Sequence, residues 1–411
     1  MLKSKKKITP EPKRRKLAME TIAVFFGGKS TEHDVSIVTA LGAIIAPLKA
    51  SGKFNIEPVY IAKDGTWYWD QKLSEISLYS SGEIEDFLLK LKPASVEFGG
   101  GLYLTKTAGL TGRRKSVKID VAFSALHGTN GEDGSLMGLL NMAGVPYVGC
   151  GLEASVIAMN KVLSKQIAEQ AGIKTTKYIA FGLGEFTANS ETVISNINNN
   201  LKYPLFVKPA HLGSSIGISK VTRESELLNA IEVALHHDKL CLVEEGVENL
   251  IEVTLPIIGT SDQPILASVE QSKLNQDGFF DFDAKYIGQG GKNSKMGKSG
   301  GGKFSAEGYS KIPAEISESL TEQCQQMGRD VWAKLGLYGI SRIDMLINSK
   351  TGELYFNEIN PLPGSLYMHN WVASGFSPVQ LNLKLIELAK KRFQAESALT
   401  TTYQTNFLKQ F

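Results

Sequence analysis

Arg342, Asp344, Glu358 and Asn360 are the residues whose types and spacing point most directly to chemistry. They lie in the stretch 339–365, GISRIDMLINSKTGELYFNEINPLPGS, which reads as strands over 340–347 and 353–360 joined by a turn-rich run over 348–352. Alternate side chains share one face of a strand, so Arg342 goes with Asp344, and Glu358 with Asn360. If the turn pairs residues of equal parity, all four meet on one side. Two carboxylates and an amide oxygen placed together are hard ligands, suited to Mg²⁺ shared with substrate phosphates. A solvated hairpin closed by a salt bridge satisfies the same pattern. The tail Asn360-Pro-Leu-Pro-Gly364-Ser365 turns the backbone just past these residues and is placed to aim amides back at them.

Three further groups have the types for anion or acid–base work. Gly27–Gly28 followed by Lys29, Ser30, Glu32 and Asp34 sits after an apolar run, a layout that offers backbone N–H groups to an anion. Acids at a helix start also merely favour the dipole. His127 and Glu132 occupy a Gly-rich loop after a second apolar run, where ligands of open parallel sheets bind. Lys208 precedes Pro209 and the loop Gly213-Ser214-Ser215-Ile216-Gly217, whose amides and hydroxyls suit phosphates, although GxxxxGK[ST] is absent. An ordinary mobile turn has the same composition.

Stepping outward, these residues need elements to hold them. Residues 21–26 and 119–126 are near-continuous apolar runs, expected as buried parallel strands, with strands also over 55–61 and 66–69. Residues 70–118 read as irregular apart from a helix over 83–91. A single amphipathic helix is expected over 153–170, carrying Lys161, and a strand over 201–208 ends in Lys208. Thr222 reads as the N-cap of the next helix. Residues 239–246 read as a strand ending in acids; the backbone of Glu244, Glu245 and Val247 is placed to meet an adenine edge, and Glu252 to meet ribose hydroxyls. Strands are expected over 252–258 and 265–269, and helices over 314–335 and 381–395. The run 288–303 holds seven glycines, four lysines and no acid, which reads as a flexible cationic loop: a linker, or a lid over polyphosphate.

Composition bounds the class. At 411 residues, 42% hydrophobic and 21% charged, the chain reads as an ordinary globular protein of two or three domains. No apolar run reaches the roughly 18 residues of a membrane span, and three scattered cysteines, Cys150, Cys241 and Cys324, fit buried thiols in a reducing compartment. Residues 1–19 hold eight Lys/Arg against Glu11, more than the whole net charge of +3, so the body is acidic and gives no argument for nucleic acid. This tail reads as disordered, with a basic targeting or RNA-touching arm as the alternative. Met19 directly precedes the first strand, so residues 1–18 are open to being foreign to the native protein.

The separated motifs FGGKSTEHDVS (26–36), LHGTNGEDG (126–134), KPAHLGSSIG (208–217), DAKY (283–286) and RIDMLI…NEINPLPG (342–364) together resemble the D-alanine–D-alanine ligase family of the ATP-grasp superfamily, across roughly residues 20–392. The resemblance implies an α/β fold with an α+β C-terminal half: ATP-grasp with an N-terminal Rossmann-like parallel-sheet domain. The domains expected are 20–150, 151–243 and 244–395, between tails 1–19 and 396–411. By motif match, Lys161, Lys208 and Lys285 contact the nucleotide, and Ser214 and Ser215 lie in the phosphate-covering loop. Asp344, Glu358 and Asn360 hold two Mg²⁺ (or Mn²⁺), and Glu32 binds the ammonium of the first D-alanine. Glu32, Ser214 and Tyr286 latch the lid, Arg342 and the Gly364 amide form the oxyanion site, and His127 lies near the first substrate. The implied activity is ATP-dependent ligation of two D-alanines through an acylphosphate, for peptidoglycan precursors, in a cytoplasmic, non-membrane homodimer whose ligands are small molecules. D-serine or D-lactate as second substrate, or a nucleotide-binding regulator without turnover, are the alternatives. The chain departs from the family pattern at Ser365-Leu366-Tyr367-Met368-His369, where a serine for the second carboxylate is expected near His369. Its cationic loop is also longer than the common form. Tyr286, rather than Phe, is the form of the dipeptide makers.

Overall fold

The apolar run at the start of the body forms β1 (Thr21–Gly27), buried at every position because it lies inside a sheet covered on both faces. The computed structural model describes residues 19–108, 112–272 and 310–411. After β1 come β2 (Asn55–Ile61) and β3 (Trp67–Trp69), then β4 (Ser95–Phe98), β5 (Leu102–Ala108) and β6 (Arg113–Ile119), and finally β7 (Val121–Ser124) and β8 (Tyr147–Val148). The first sheet runs β3–β2–β1–β7–β8, parallel except at β3. The region 70–118, expected to be irregular, instead contributes a three-stranded antiparallel sheet, β4–β5–β6. The strands escaped notice because polar residues crowd them (RRKSVKI in β6), while few apolar anchors, Leu102, Leu104 and Ile119, fix them to the core.

One helical run, His33–Ser51, is long and apolar enough by composition to cross a membrane, but its apolar faces pack into the core beneath β1. Its middle turn, Thr39–Ile45, is a π-helix, a rare geometry frequent at functional sites.

The second sheet is antiparallel: β9 (Tyr178–Gly182), β10 (Leu205–Pro209), β11 (Ser219–Val221) and β12 (Leu240–Glu245), in the order β11–β10–β12–β9. The helix expected over 153–170 is two, Leu152–Met159 and Lys161–Gln170. Asn160 is extended between them, and its side chain accepts from the N–H groups of Val162 and Leu163, capping the second helix. The break places Lys161 at a helix start. Thr222 is not a helix cap: Leu227–His237 follows a short 3₁₀ turn, and both Thr222 N–H and its hydroxyl donate to Glu226 instead.

The third sheet holds the opening hairpin. It comprises β13 (Leu250–Gly259), β14 (Pro264–Leu266), β15 (Glu270–Ser272), β16 (Ser310–Lys311), β17 (Gly339–Asn348) and β18 (Leu354–Asn360), ordered β16–β15–β13–β17–β18 with β14 also on β13. The helix Glu318–Lys334 covers one face through Cys324, Val331 and Trp332. The last long helix, Pro378–Ser397, opens on a Ser377/Gln380 capping box and returns to the first sheet. There Leu381, Leu385 and Ala389 join the core of Ile22, Val24 and Ile44. Arg392 seals the return by donating to the carbonyls of Gly149 and Tyr147. All three cysteines are free and buried.

Candidate active site

The register of the hairpin settles the parity question. Arg342 pairs with Asn360 and Asp344 with Glu358, so the four side chains share one face of β17 and β18, just before a bulge at Asp344/Met345. Arg342 grips Asp344 with two donors, Nε at 2.7 Å and Nη2 at 2.6 Å, and Asn360 Nδ2 donates to the same carboxylate at 3.0 Å. Glu358 lies 3.2 Å from Lys161 Nζ. Lys161 also donates to Leu212 O at 2.6 Å, so the helix start at Asn160 ties the 209–217 loop to the hairpin.

The second and third sheets face each other across a pocket of about 720 Å³, within the range of small-molecule sites. Lys161, Lys208, Ser215, Glu244, Glu245, Val247, Glu252 and Glu358, all expected at a nucleotide, line it. Lys208 forms an ion pair with Glu244 and reaches Asn357 at 3.4 Å. The Glu244 carboxylate is buried among Lys208, Lys165 and Thr176, the last at 2.6 Å. Burial works to raise its pKa, but the Lys165 and Lys208 charges outweigh this and hold it well below the usual carboxylate range. Lys165 is pushed down by burial, whereas for Lys208 the Glu244 charge overcomes burial. With its carboxylate so enclosed, Glu244 is left its backbone for a nucleotide edge. Sequence reasoning missed Lys165 and Thr176. Lys165, one turn after Lys161 on the same helix, was the available signal.

The Gly-rich loops of the first sheet close the other side. The Ser214 hydroxyl donates to the buried Glu32 carboxylate across 182 residues of sequence. Gly128 makes room for it: at φ +67°, a Cβ there would stand 2.7 Å from Glu32 Oε2. Ser214 and Ser215 themselves lie at φ +55° and +59°. His127 is buried, with Nε2 at 2.8 Å from Thr39 Oγ1. The Ser365 N–H donates to that hydroxyl at 2.9 Å, which leaves the hydroxyl proton for His127 Nε2 and the ring proton on Nδ1, facing Glu132 at 3.9 Å. Burial pushes His127 down to about 4, so the ring is neutral near pH 7. Glu132 accepts from Gly128 N at 2.7 Å and Leu362 N at 3.0 Å; burial and then the Glu32 charge raise its pKa. Thr39 was not foreseen, since nothing in a single hydroxyl on an apolar helix announces it.

Past Gly364 the chain makes a left-handed turn of three non-glycine residues: Ser365, Leu366 and Tyr367, at φ 50°, 54° and 52°. Each costs about 1–2 kcal/mol, so the surroundings must impose the turn. Thr39 holds its first amide. Tyr367 OH meets Thr254 Oγ1 at 3.1 Å and Glu270 Oε1 at 3.2 Å, and its ring lies 5.0 Å from the Arg342 guanidinium carbon. Lys285, Tyr286 and the 288–303 loop lie outside the described residues.

The arrangement has the parts for phosphoryl and acyl transfer: cations at a nucleotide-sized pocket, hard oxygens beside them, and an arginine next to a sharply turned backbone. Among known families, residues 21–150 match the D-ala D-ala ligase N-terminus and residues 167–387 the D-ala D-ala ligase C-terminus. The chain is 36% identical to a D-alanine–D-alanine ligase of Acetivibrio thermocellus, over 90% of this chain and 96% of that one. It is 35% identical to the same-named protein of Chloroherpeton thalassium, again over 90% and 96%. Among solved structures, the VanG D-Ala:D-Ser ligase of Enterococcus faecalis is similar with TM-score 0.70 at 33% identity, covering 90% of this chain and 99% of that one. The D-alanine-D-alanine ligase of Coxiella burnetii gives TM-score 0.72 at 26% identity, covering 92% and 96%.

Proposed function

The chain belongs to the D-alanine–D-alanine ligase family, and on that premise we propose that it is an ATP-dependent ligase joining two D-alanines for peptidoglycan precursor synthesis. Its fold is ATP-grasp, with an N-terminal Rossmann-like domain. The observation that carries the site assignment is the convergence of the Lys161/Lys208 pocket, the Arg342–Asp344 pair and the Glu32–Ser214 bond on one cleft.

A carboxylate is a poor acyl donor. The first D-alanine, its ammonium at Glu32, attacks the γ-phosphorus of ATP through a carboxylate oxygen; that P–O bond forms, the bond to the β-phosphate oxygen breaks, and ADP leaves. Lys161 and Lys208 offset the phosphate charge, with Lys285 assigned the same role from the motif alone. Ser214 and Ser215 cover the phosphates, the Glu244–Val247 backbone meets the base and Glu252 the ribose. The amine of the second D-alanine then attacks the acyl carbon, C–N forms, and C–O breaks as phosphate departs and takes the amine's proton. Arg342 and the Gly364 amide stabilise the oxyanion. Exclusion of water protects the acylphosphate, with Tyr286 assigned to the Glu32–Ser214 latch from the motif.

Asp344, Glu358 and Asn360 fit two Mg²⁺ or Mn²⁺ ions: they are hard oxygen donors at facing positions of β17 and β18, and the neighbouring cations Arg342 and Lys161 mark the carboxylates as ionised. Bound there, the ions would screen charge on the transferring phosphoryl group. The proposal includes a homodimer in the cytoplasm, supported by the need for ATP and by the free, buried thiols.

The test is product analysis. With ATP and Mg²⁺, phosphate release should rise on adding D-alanine, and mass spectrometry should find D-alanyl-D-alanine ahead of D-serine or D-lactate products in competition. Phosphate release indifferent to D-alanine would support a nucleotide-binding regulator instead. A D-serine acceptor is the second reading, favoured by the likeness to the D-Ala:D-Ser ligase.

A further inference from the structure

Across the third sheet, the site residues fall in a row. Glu358 and Asn360 stand on β18, Arg342 and Asp344 on β17, Thr254 on β13 opposite Asp344, and Glu270 on β15. Acyl transfer passes through a tetrahedral carbon with four distinct corners. In the ligase reading, on which this inference rests, the departing phosphate takes the Glu358/Lys161 corner and the oxyanion takes Arg342 and Gly364. The first substrate's Cα leads to Glu32. The corner left for the incoming amine points along the row, over Tyr367 toward β15.

A buried ion pair waits there. Glu270 is 3% exposed and His369 12% exposed in their side chains; His369 Nε2 lies 3.0 and 2.9 Å from the two Glu270 oxygens. Asn370 Nδ2 donates to Glu270 at 2.9 Å and Tyr367 OH at 3.2 Å, so the carboxylate is fixed by three side chains of one turn. Burial works against its ionisation, and the His369 and Asn370 contacts overcome it, holding the Glu270 pKa below its ordinary value. Such a cluster is more than a wall needs, and it is built from the left-handed turn that strains the backbone to place it. Because Nε2 is spent on Glu270, the ring offers Nδ1, which has no hydrogen-bond partner among the described residues.

We propose that His369, held by Glu270, binds the α-carboxylate of the second substrate and restricts the acceptor to amino acids that carry that charge. Between two carboxylates the ring carries both protons, Nε2–H to Glu270 and Nδ1–H to the acceptor. His369 is thus a specificity residue at the position where the family pattern has serine, and Glu270 is a positioning residue that acts through it.

The experiment partitions one acylphosphate between acceptors. The full-length enzyme is given ATP, Mg²⁺, D-alanine and D-alaninamide, and the ratio of D-alanyl-D-alanine to D-alanyl-D-alaninamide is read by mass spectrometry. The wild type should favour the free carboxylate. His369→Gln should lower the ratio by about tenfold or more, the scale of a lost charge-assisted hydrogen bond, and Glu270→Gln should lower it in the same direction. Hydroxylamine, an acceptor without a carboxylate, should still give D-alanine hydroxamate with both variants, which shows that they fold and form the acylphosphate. A ratio unchanged in His369→Gln, or hydroxamate formation lost in step with the dipeptide, overturns this inference alone. Absence of hydroxamate with the wild type sinks the ligase reading and this inference with it.

Discussion

Arg342 spends two donors on Asp344 and lays its guanidinium against Tyr367, so it is oriented before any substrate arrives. Preorganised charge of this kind acts where negative charge develops. Arg342→Ala should lower kcat by about 10²–10³ while the KM for ATP changes little, measured by coupled ADP release; unchanged turnover would remove Arg342 from the mechanism. His127 gives a pH prediction. Its folded-state pKa is depressed to about 4, so between the ordinary value near 6.5 and about 4 the unfolded chain binds a proton that the folded chain refuses. That contribution to stability is therefore present above the unfolded value and fades as pH falls. Denaturant titrations at pH 7 and pH 4.5 should show the stability gap between wild type and His127→Gln shift in favour of the variant by up to about 3 kcal/mol at the lower pH. Glu132 alongside it, with a raised pKa, opposes this trend, so the comparison must be between variants at each pH rather than along one curve.

At the scale of elements, the break at Asn160 matters most. A continuous helix would have put Lys161 mid-helix; the extended residue makes it the first residue of a new one, aimed at Leu212 O and Glu358. Asn160→Ala should cost about 1 kcal/mol of stability for the lost cap. It should also raise the KM for ATP severalfold, because Lys161 loses its fixed origin. A stability loss with an unaltered KM would show the break to be structural only. The hairpin was readable from alternation and turn residues alone, since a strand of period two leaves its faces visible in the sequence. The break was not, because apolar periodicity continues on both sides of it, and only the capping geometry distinguishes Asn160 from a helix interior.

At the scale of the whole molecule, the first sheet reaches into the chemistry of the third. Glu132 accepts from Leu362 N and Thr39 from Ser365 N, so both flanks of Gly364 are pinned by side chains from far earlier in the chain. Arg392 and the helix Pro378–Ser397 fasten the return path. Thr39→Val keeps the shape but leaves the Ser365 amide and His127 Nε2 without that partner. An unsatisfied buried group costs about 1–3 kcal/mol, and here it should appear as a kcat about tenfold lower. Rapid-quench measurement of the acyl-transfer step locates the effect; a fall confined to ATP binding would refute the link. By itself the sequence determined the parallel strands, the hairpin, the anion-binding loops and most of the residues that line the cleft. Those features are written in local periodicity, glycine placement and residue type, which act over a few positions. The tertiary structure alone decided that Lys165 and Thr176 enclose Glu244, that Thr39 joins His127 to Ser365, and that Glu270 backs His369. Each of these joins residues from separate elements, and no local pattern encodes which buried polar group will meet which, because burial and pairing are settled only when the sheets close on one another.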